Sequence, residues 1–247
     1  MQSGPVEIAG PDGSARPGFL ALPAAAARPS PGLVVLHEIL GLNDDIRRIA
    51  ERFAAAGYAA LAPDLYAGPG PRPLCVLRTL RSLGRRRGPA FAAIEYAHGF
   101  LSARPGVDAS RMGVAGFCMG GGFALLHAVR APLAAAATFY GDVPEGAEAL
   151  RGVCPVVAGF GGRDRLFADA GRRLGRLLAE LDVAHDVAIY PEAGHSYMNR
   201  YSGLLARIGA VSPLRVGYDE AAAEDSWRRM LAFFGRHLAG SAEPGGG

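Results

Sequence analysis

The chain has 247 residues, with 26 basic against 23 acidic side chains and a formal charge of +3. All 26 basic residues are arginine, which excludes a Schiff-base lysine, a Ser–Lys dyad, a P-loop lysine and the anchor that pyridoxal phosphate needs. Any cation is then a planar, permanently charged guanidinium, suited to carboxylates and phosphates and unable to serve as a base.

Residues 5–9 and 16–22 read as short extended segments around Asp12-Gly13, a hairpin signal. A loop with Pro29 and Pro31 leads into GLVVLHE (32–38), a β-branched run of the kind a buried strand needs. Asn43 or Asp44 can cap the next helix, which turns Ile46, Ile49, Phe53 and Ala54 to one face and stops at Gly57. Another strand runs from Tyr58 to Leu61. Residues 67–89, rich in Gly, Pro and Arg, read as irregular with at most a short helix. A helix is expected from Pro89 to about Leu101, then a strand at 111–117, a glycine-rich turn and a helix through Phe123–Leu126. Strands at 134–139 and 153–159, a helix over 166–182, a strand at 185–190 and an amphipathic helix over 219–238 complete the pattern. Such alternation predicts an α/β protein with a mostly parallel sheet and helices on both faces.

No repeat or linker interrupts the pattern, so a single domain over 1–240 is expected, with a disordered tail at 241–247. The Arg-only usage, beside abundant Ala, Gly and Pro, fits a GC-rich coding sequence. Arg85-Arg86-Arg87 has no interleaved aromatic residues and reads as a solvated loop, not a nucleic-acid surface. The first residues carry no signal-peptide pattern, and no apolar stretch is long enough for a membrane span. Cys75, Cys118 and Cys154 are an odd number without metal-ligand spacing. A reduced cytoplasmic protein without metal, monomeric or a small homo-oligomer, is expected.

Gly116-Phe117-Cys118-Met119-Gly120 is a G-x-S-x-G nucleophile elbow with sulfur in place of oxygen, at a strand-to-helix junction. The glycines are needed because side chains two before and two after the nucleophile meet the neighbouring backbone. Sulfur at a helix N-terminus gains from the dipole, which favours thiolate. Gly194-His195-Ser196 follows a late strand, where a catalytic base belongs in this chain order. Gly161-Gly162-Arg163-Asp164 ends an earlier strand, so Asp164 can orient His195. His37-Glu38-Ile39 follows the 32–36 run, and Ile39 N–H, paired with Met119 N–H, is the candidate oxyanion hole.

Together HEILGLN (37–43), APDLYAG (62–68), GFCMGG (116–121), FYG (139–141), GGRDRLF (161–167) and PEAGHSYM (191–198) resemble the dienelactone hydrolase family of α/β hydrolases, over roughly residues 17–238. The resemblance implies a Cys118–His195–Asp164 triad, with Glu38 accepting the thiol proton or its hydrogen bond when an anionic substrate enters. It implies an acyl-enzyme, hydrolysis of a small ester or lactone, and no cofactor. Family members hold the substrate carboxylate with two arginines. Here Asn199 stands at the second of these places with Arg200 beside it, and Arg78 and Arg81 are candidates for the first. Phe117, Tyr140 and Tyr197 are candidate pocket residues, with core packing as the alternative. A general carboxylesterase or thioesterase, and a noncatalytic binding or redox-sensing protein, are the competing readings.

Overall fold

The computed structural model describes residues 1–10, 13, 15–24, 28–201, 209 and 211–238; the expected tail at 241–247 lies outside them. Strands β1 (Gln2–Ala9) and β2 (Ala15–Leu22) form the antiparallel hairpin. β3 (Ser30–Leu36) follows, then helix α1 (Asp44–Ala55), β4 (Ala59–Pro63), α2 (Arg72–Arg85) and α3 (Pro89–Ser102). The second half runs β5 (Val107–Phe117), α4 (Met119–Ala128), β6 (Ala135–Phe139), a 3₁₀ turn at Ala147–Leu150, β7 (Val156–Gly161), α5 (Ala168–Glu180), β8 (His185–Tyr190) and a last helix, α6 (Glu220–His237).

The eight strands form one sheet in the order β1-β2-β4-β3-β5-β6-β7-β8. β2 pairs antiparallel with β4, and all pairings from β4 to β8 are parallel. Helices cover both faces, so the inner strands are apolar throughout: β4, β6 and β7 are buried at every residue. Side-chain alternation sorts the core into two layers. Leu36, Met112 and Val114 pack with Phe91, Ile94, Phe123 and Leu174 on one face, while Val35, Ala115 and Phe117 pack with Ile46, Phe53, Trp227 and Phe234 on the other.

Local chemistry explains the element ends. Asn43 caps α1, accepting the Ile46 N–H at 3.0 Å. The segment read as irregular is instead the 14-residue α2. Its prolines cluster at the start, Pro71 at the cap and Pro73 in the first turn, where a missing N–H breaks no helical bond. Cys75, Thr79 and Ser82 turn inward and Arg86 closes the helix in a left-handed conformation.

Because β3, β5, β7 and β8 are parallel, their carboxyl ends share one edge of the sheet. Leu36 lies in register with Gly116, so residues 37–39 leave β3 beside the elbow that leaves β5. This is the edge at which open parallel sheets bind ligands.

Candidate active site

Cys118 sits between β5 and α4 with φ 54° and ψ −118°, a left-handed backbone that L residues adopt at a cost. Its N–H is held by Phe139 O at 3.0 Å and its carbonyl accepts from Gly121 N–H at 2.9 Å. A Cβ on Gly116 would stand 2.0 Å from Gly120 O, and one on Gly120 would stand 2.2 Å from Leu36 O. Only hydrogen fits at either place, which is why the elbow needs both glycines. The Cys118 thiol is free and half-buried, whereas its neighbours Phe117 and Met119 are buried.

Asp164 and His195 are both buried, and the imidazole Nδ1–H donates to Asp164 Oδ2 at 2.6 Å. The other carboxylate oxygen accepts the N–H groups of Leu166 and Phe167 at 3.0 and 3.1 Å. The carboxylate is thus locked, and the second ring nitrogen of His195 is left for the sulfur. The loop is held by Leu214 O, which accepts the His195 N–H at 2.8 Å, and by packing so close that a Cβ on Gly194 would stand 1.7 Å from Arg215 O. Burial opposes a charge on His195, but Asp164 and the Cys118 sulfur outweigh it and raise the imidazole to about 9.

Glu38 is buried at the mouth of β3. Asn43 Nδ2 donates to its Oε1 at 3.0 Å and Tyr201 Oη to its Oε2 at 2.5 Å. Burial pushes the carboxyl above its usual range, while these two donors pull it back. Burial raises the Tyr66 and Tyr201 phenols, and the Glu38 carboxylate and Cys118 sulfur each raise them further, so carboxylate and sulfur share one neighbourhood. Tyr66 Oη donates to Ile39 O at 2.9 Å and lies 3.7 Å from Met119 Sδ, so one phenol touches both residues expected at the oxyanion hole. Met119 begins α4, where an N–H has no intrahelical acceptor. Among the described residues no backbone carbonyl accepts the Ile39 N–H.

The expected substrate contacts divide differently. Asn199 is fully buried, its Oδ1 accepting from Tyr140 Oη at 2.6 Å and its Nδ2 donating to Asp45 Oδ2 at 2.7 Å, so its amide is spent inside the protein. Arg200 is directed to the surface, stacked over Tyr218 at 4.6 Å. Phe117 and Tyr197 are core residues on the α1–α6 face: Phe117 stacks on Phe139 at 5.6 Å, and Tyr197 Oη bonds Ser226 Oγ at 2.7 Å. The strand alternation that turns Phe117 inward removes it from a pocket wall. Tyr140, with φ 43°, packs its ring 5.2 Å from the His195 ring. Arg78 lies beside a cavity of about 290 Å³ behind Tyr66, bonded to Pro69 O at 2.6 Å, and Arg81 is exposed on α2.

Three neighbours of the site escaped the sequence reading. Arg72 reaches Leu40 O at 2.7 Å and lies over the Tyr66 ring at 5.5 Å, which makes it the arginine beside the 37–41 turn. Its position in a Pro-rich stretch hid it. Tyr66 stands in the quoted APDLYAG segment and was open to notice, whereas Tyr201 meets Glu38 from 163 residues away and carries no local pattern. Among the described residues no three His, Cys, Asp or Glu side chains converge as a metal-binding group.

Comparisons with known proteins give the family and the fold. The profile of the dienelactone hydrolase family matches residues 17–238. A Salmonella typhimurium protein provisionally named carboxymethylenebutenolidase is 31% identical over 242 residues, 91% of this chain and 84% of its own. The structure of a dienelactone hydrolase-like promiscuous phosphotriesterase from metagenomic libraries matches with a TM-score of 0.78 at 28% identity, covering 96% of this chain and 99% of that one. The dienelactone hydrolase of Anabaena variabilis shares the fold, with a TM-score of 0.69 at 21% identity over 96% of this chain and 98% of its own.

Proposed function

The chain belongs to the dienelactone hydrolase family, and from that premise we propose that it hydrolyses small, anionic esters or lactones through an acyl-enzyme on Cys118. The observation that carries the reading is the buried Asp164–His195 pair beside a cysteine held in a strained strand-to-helix turn. That is the arrangement of nucleophile, base and orienting acid that acyl transfer needs.

In the proposed cycle the Cys118 thiolate attacks the ester carbonyl carbon. The carbonyl oxygen becomes an oxyanion that accepts hydrogen bonds from Ile39 N–H and Met119 N–H. The tetrahedral intermediate collapses, the C–O bond breaks, and the leaving alkoxide takes a proton from the His195 imidazolium. Sulfur in the resulting thioester is uncharged, so it no longer raises the imidazole. Neutral His195 then takes a proton from water as the water attacks the thioester. The carboxylic acid leaves and the thiolate–imidazolium pair returns.

Glu38 and the sulfur both act on Tyr66 and Tyr201, and both Glu38 oxygens are occupied, by Asn43 and Tyr201. For the substrate anion, Arg72 is the guanidinium beside the 37–41 turn, and Arg16 and Arg78 line the cavity behind Tyr66. Cys75, Cys118 and Cys154 are free, and among the described residues no helix is long and apolar enough to cross a membrane.

Matched pairs of neutral and carboxylated aryl esters test the reading. Cys118→Ala abolishes turnover of both while the fold persists, and the wild type prefers the anionic member. Equal turnover of the two removes the anionic part of the proposal, and near-wild-type activity in Cys118→Ala removes the nucleophile.

A further inference from the structure

We infer that His37 is a positioning residue for the oxyanion hole, aiming the Ile39 N–H at the reacting oxygen; the inference rests on the proposed role of that N–H. His37 is completely buried immediately after β3. Its ring bonds on both sides. Nδ1–H donates to the Glu38 carbonyl at 2.7 Å, and Nε2 accepts the Leu65 N–H at 3.0 Å. Only the neutral tautomer with its proton on Nδ1 satisfies both. Asp64 Oδ1 at 3.7 Å from Nε2 and the Tyr66 ring at 4.9 Å complete its surroundings.

The Glu38–Ile39 peptide is trans, so its C=O and N–H point in opposite directions. Fixing the Glu38 carbonyl therefore fixes the Ile39 N–H. That carbonyl is held twice, by His37 and by Gly41 N–H at 3.0 Å. The next carbonyl, of Ile39, is held by Tyr66 Oη at 2.9 Å. Both peptide planes bordering the Ile39 Cα are pinned, and the Ile39 N–H is left without a backbone acceptor among the described residues. A donor preorganised in this way costs no reorientation when the oxyanion forms. The turn itself is anchored against the elbow: Gly120 lies so close to Leu36 O and His37 O that a Cβ would stand 2.2 and 2.7 Å from them.

A merely structural histidine and a positioning one differ in what their loss does to the tetrahedral state. The probe is a small aldehyde with the same acyl group as a turned-over ester; it adds Cys118 sulfur to its carbonyl carbon and places an oxyanion or hydroxyl in the hole. The carboxylate product serves as the ground-state ligand. In His37→Ala, kcat falls roughly tenfold to a hundredfold with KM within about twofold, the aldehyde weakens by the same factor, and the product binds as before. His37→Asn, whose amide N–H replaces Nδ1–H, recovers most of kcat. His37→Gln, whose N–H reaches the other ring position, does not, and this pair keeps the comparison alive if the alanine variant fails to fold.

Three results in the activity, stability and ligand measurements overturn the inference, and the adduct measurements below add another. One is a lowered melting temperature with unchanged kcat. Another is aldehyde and product affinities that fall together. The third is Asn and Gln variants of equal activity. A wild-type enzyme that forms no aldehyde adduct on Cys118 overturns the nucleophile assignment as well. An adduct of unchanged affinity in His37→Gln overturns the role of His37 alone.

Discussion

His195 Nδ1–H meets Asp164 Oδ2 at 2.6 Å with both side chains out of solvent, and the remaining Asp164 oxygen is tied to two backbone N–H groups. The carboxylate cannot turn away, so the imidazole has one orientation and one tautomer. Asp164→Asn keeps the volume but replaces the acceptor with a group whose N–H opposes the imidazole N–H. We expect kcat to fall by about 10³-fold or more, with KM changed far less.

The charge on His195 depends on both neighbours. With burial opposing it and Asp164 and the sulfur favouring it, the imidazole titrates near 9. An NMR titration of the ring protons in Cys118→Ala should show that value moving down toward 6.5, and Asp164→Asn should do the same. The linkage has a defined sign. A histidine raised in the folded state stabilises the fold fully below pH 6.5, and that contribution is lost as pH rises through about 9. Stability measured by urea unfolding should therefore decline between these limits in the wild type and decline less in Cys118→Ala.

Acid should act through other histidines in the opposite sense. Burial lowers His127 to about 4, with His98 and Arg130 adding to the effect. Burial likewise lowers His98 and His37. The unfolded chain takes up these protons near pH 6.5 and the folded chain refuses them, so stability is lost as pH falls from 6.5 toward 4. His127 alone accounts for roughly 3 kcal/mol over that interval. Unfolding free energies of His127→Leu at pH 7 and pH 4.5 should differ less than those of the wild type. An undiminished difference would place the acid sensitivity elsewhere.

Tyr197 and Arg72 separate core from pocket. Tyr197→Phe removes a buried bond to Ser226 and should cost about 1–2 kcal/mol in thermal or chemical unfolding, with kcat/KM unchanged. Arg72→Gln should raise KM for a carboxylated ester severalfold and leave the neutral ester alone, whereas Arg200→Gln, at the surface on Tyr218, should change neither. A KM effect at Arg200 and none at Arg72 would reverse the assignment.

These predictions follow the boundary between what was legible in the sequence and what was not. The strand–helix alternation, the Asn43 cap and the Gly116–Gly120 elbow are local signals, because hydrophobic period and steric need lie within a few residues. Cys118, Asp164 and His195 stood out as candidates for a related reason: each follows the end of its own strand, by one, three and five residues. The lining of the site was not legible. Asn199 and Arg200 are adjacent in sequence, yet one is drawn to Asp45 and Tyr140 in the interior, 154 and 59 positions away, and the other lies on the surface against Tyr218, 18 positions away. Phe117 follows the alternation of β5 into the core. α2 was hidden because prolines that read as loop formers occupy the one part of a helix that tolerates them. The absence of lysine directs attention to guanidinium, and of the arginines weighed here Arg72 lies against the 37–41 turn whereas Arg200 lies at the surface on Tyr218.

The central claim is that hydrolysis passes through an acyl group on Cys118, and intact-protein mass spectrometry tests it most directly. His195→Gln mixed with a reactive small ester should gain the mass of one acyl group, peptide mapping should place it on Cys118, and Cys118→Ala should gain nothing. An adduct on another residue, or full turnover by Cys118→Ala without any adduct, would contradict the account.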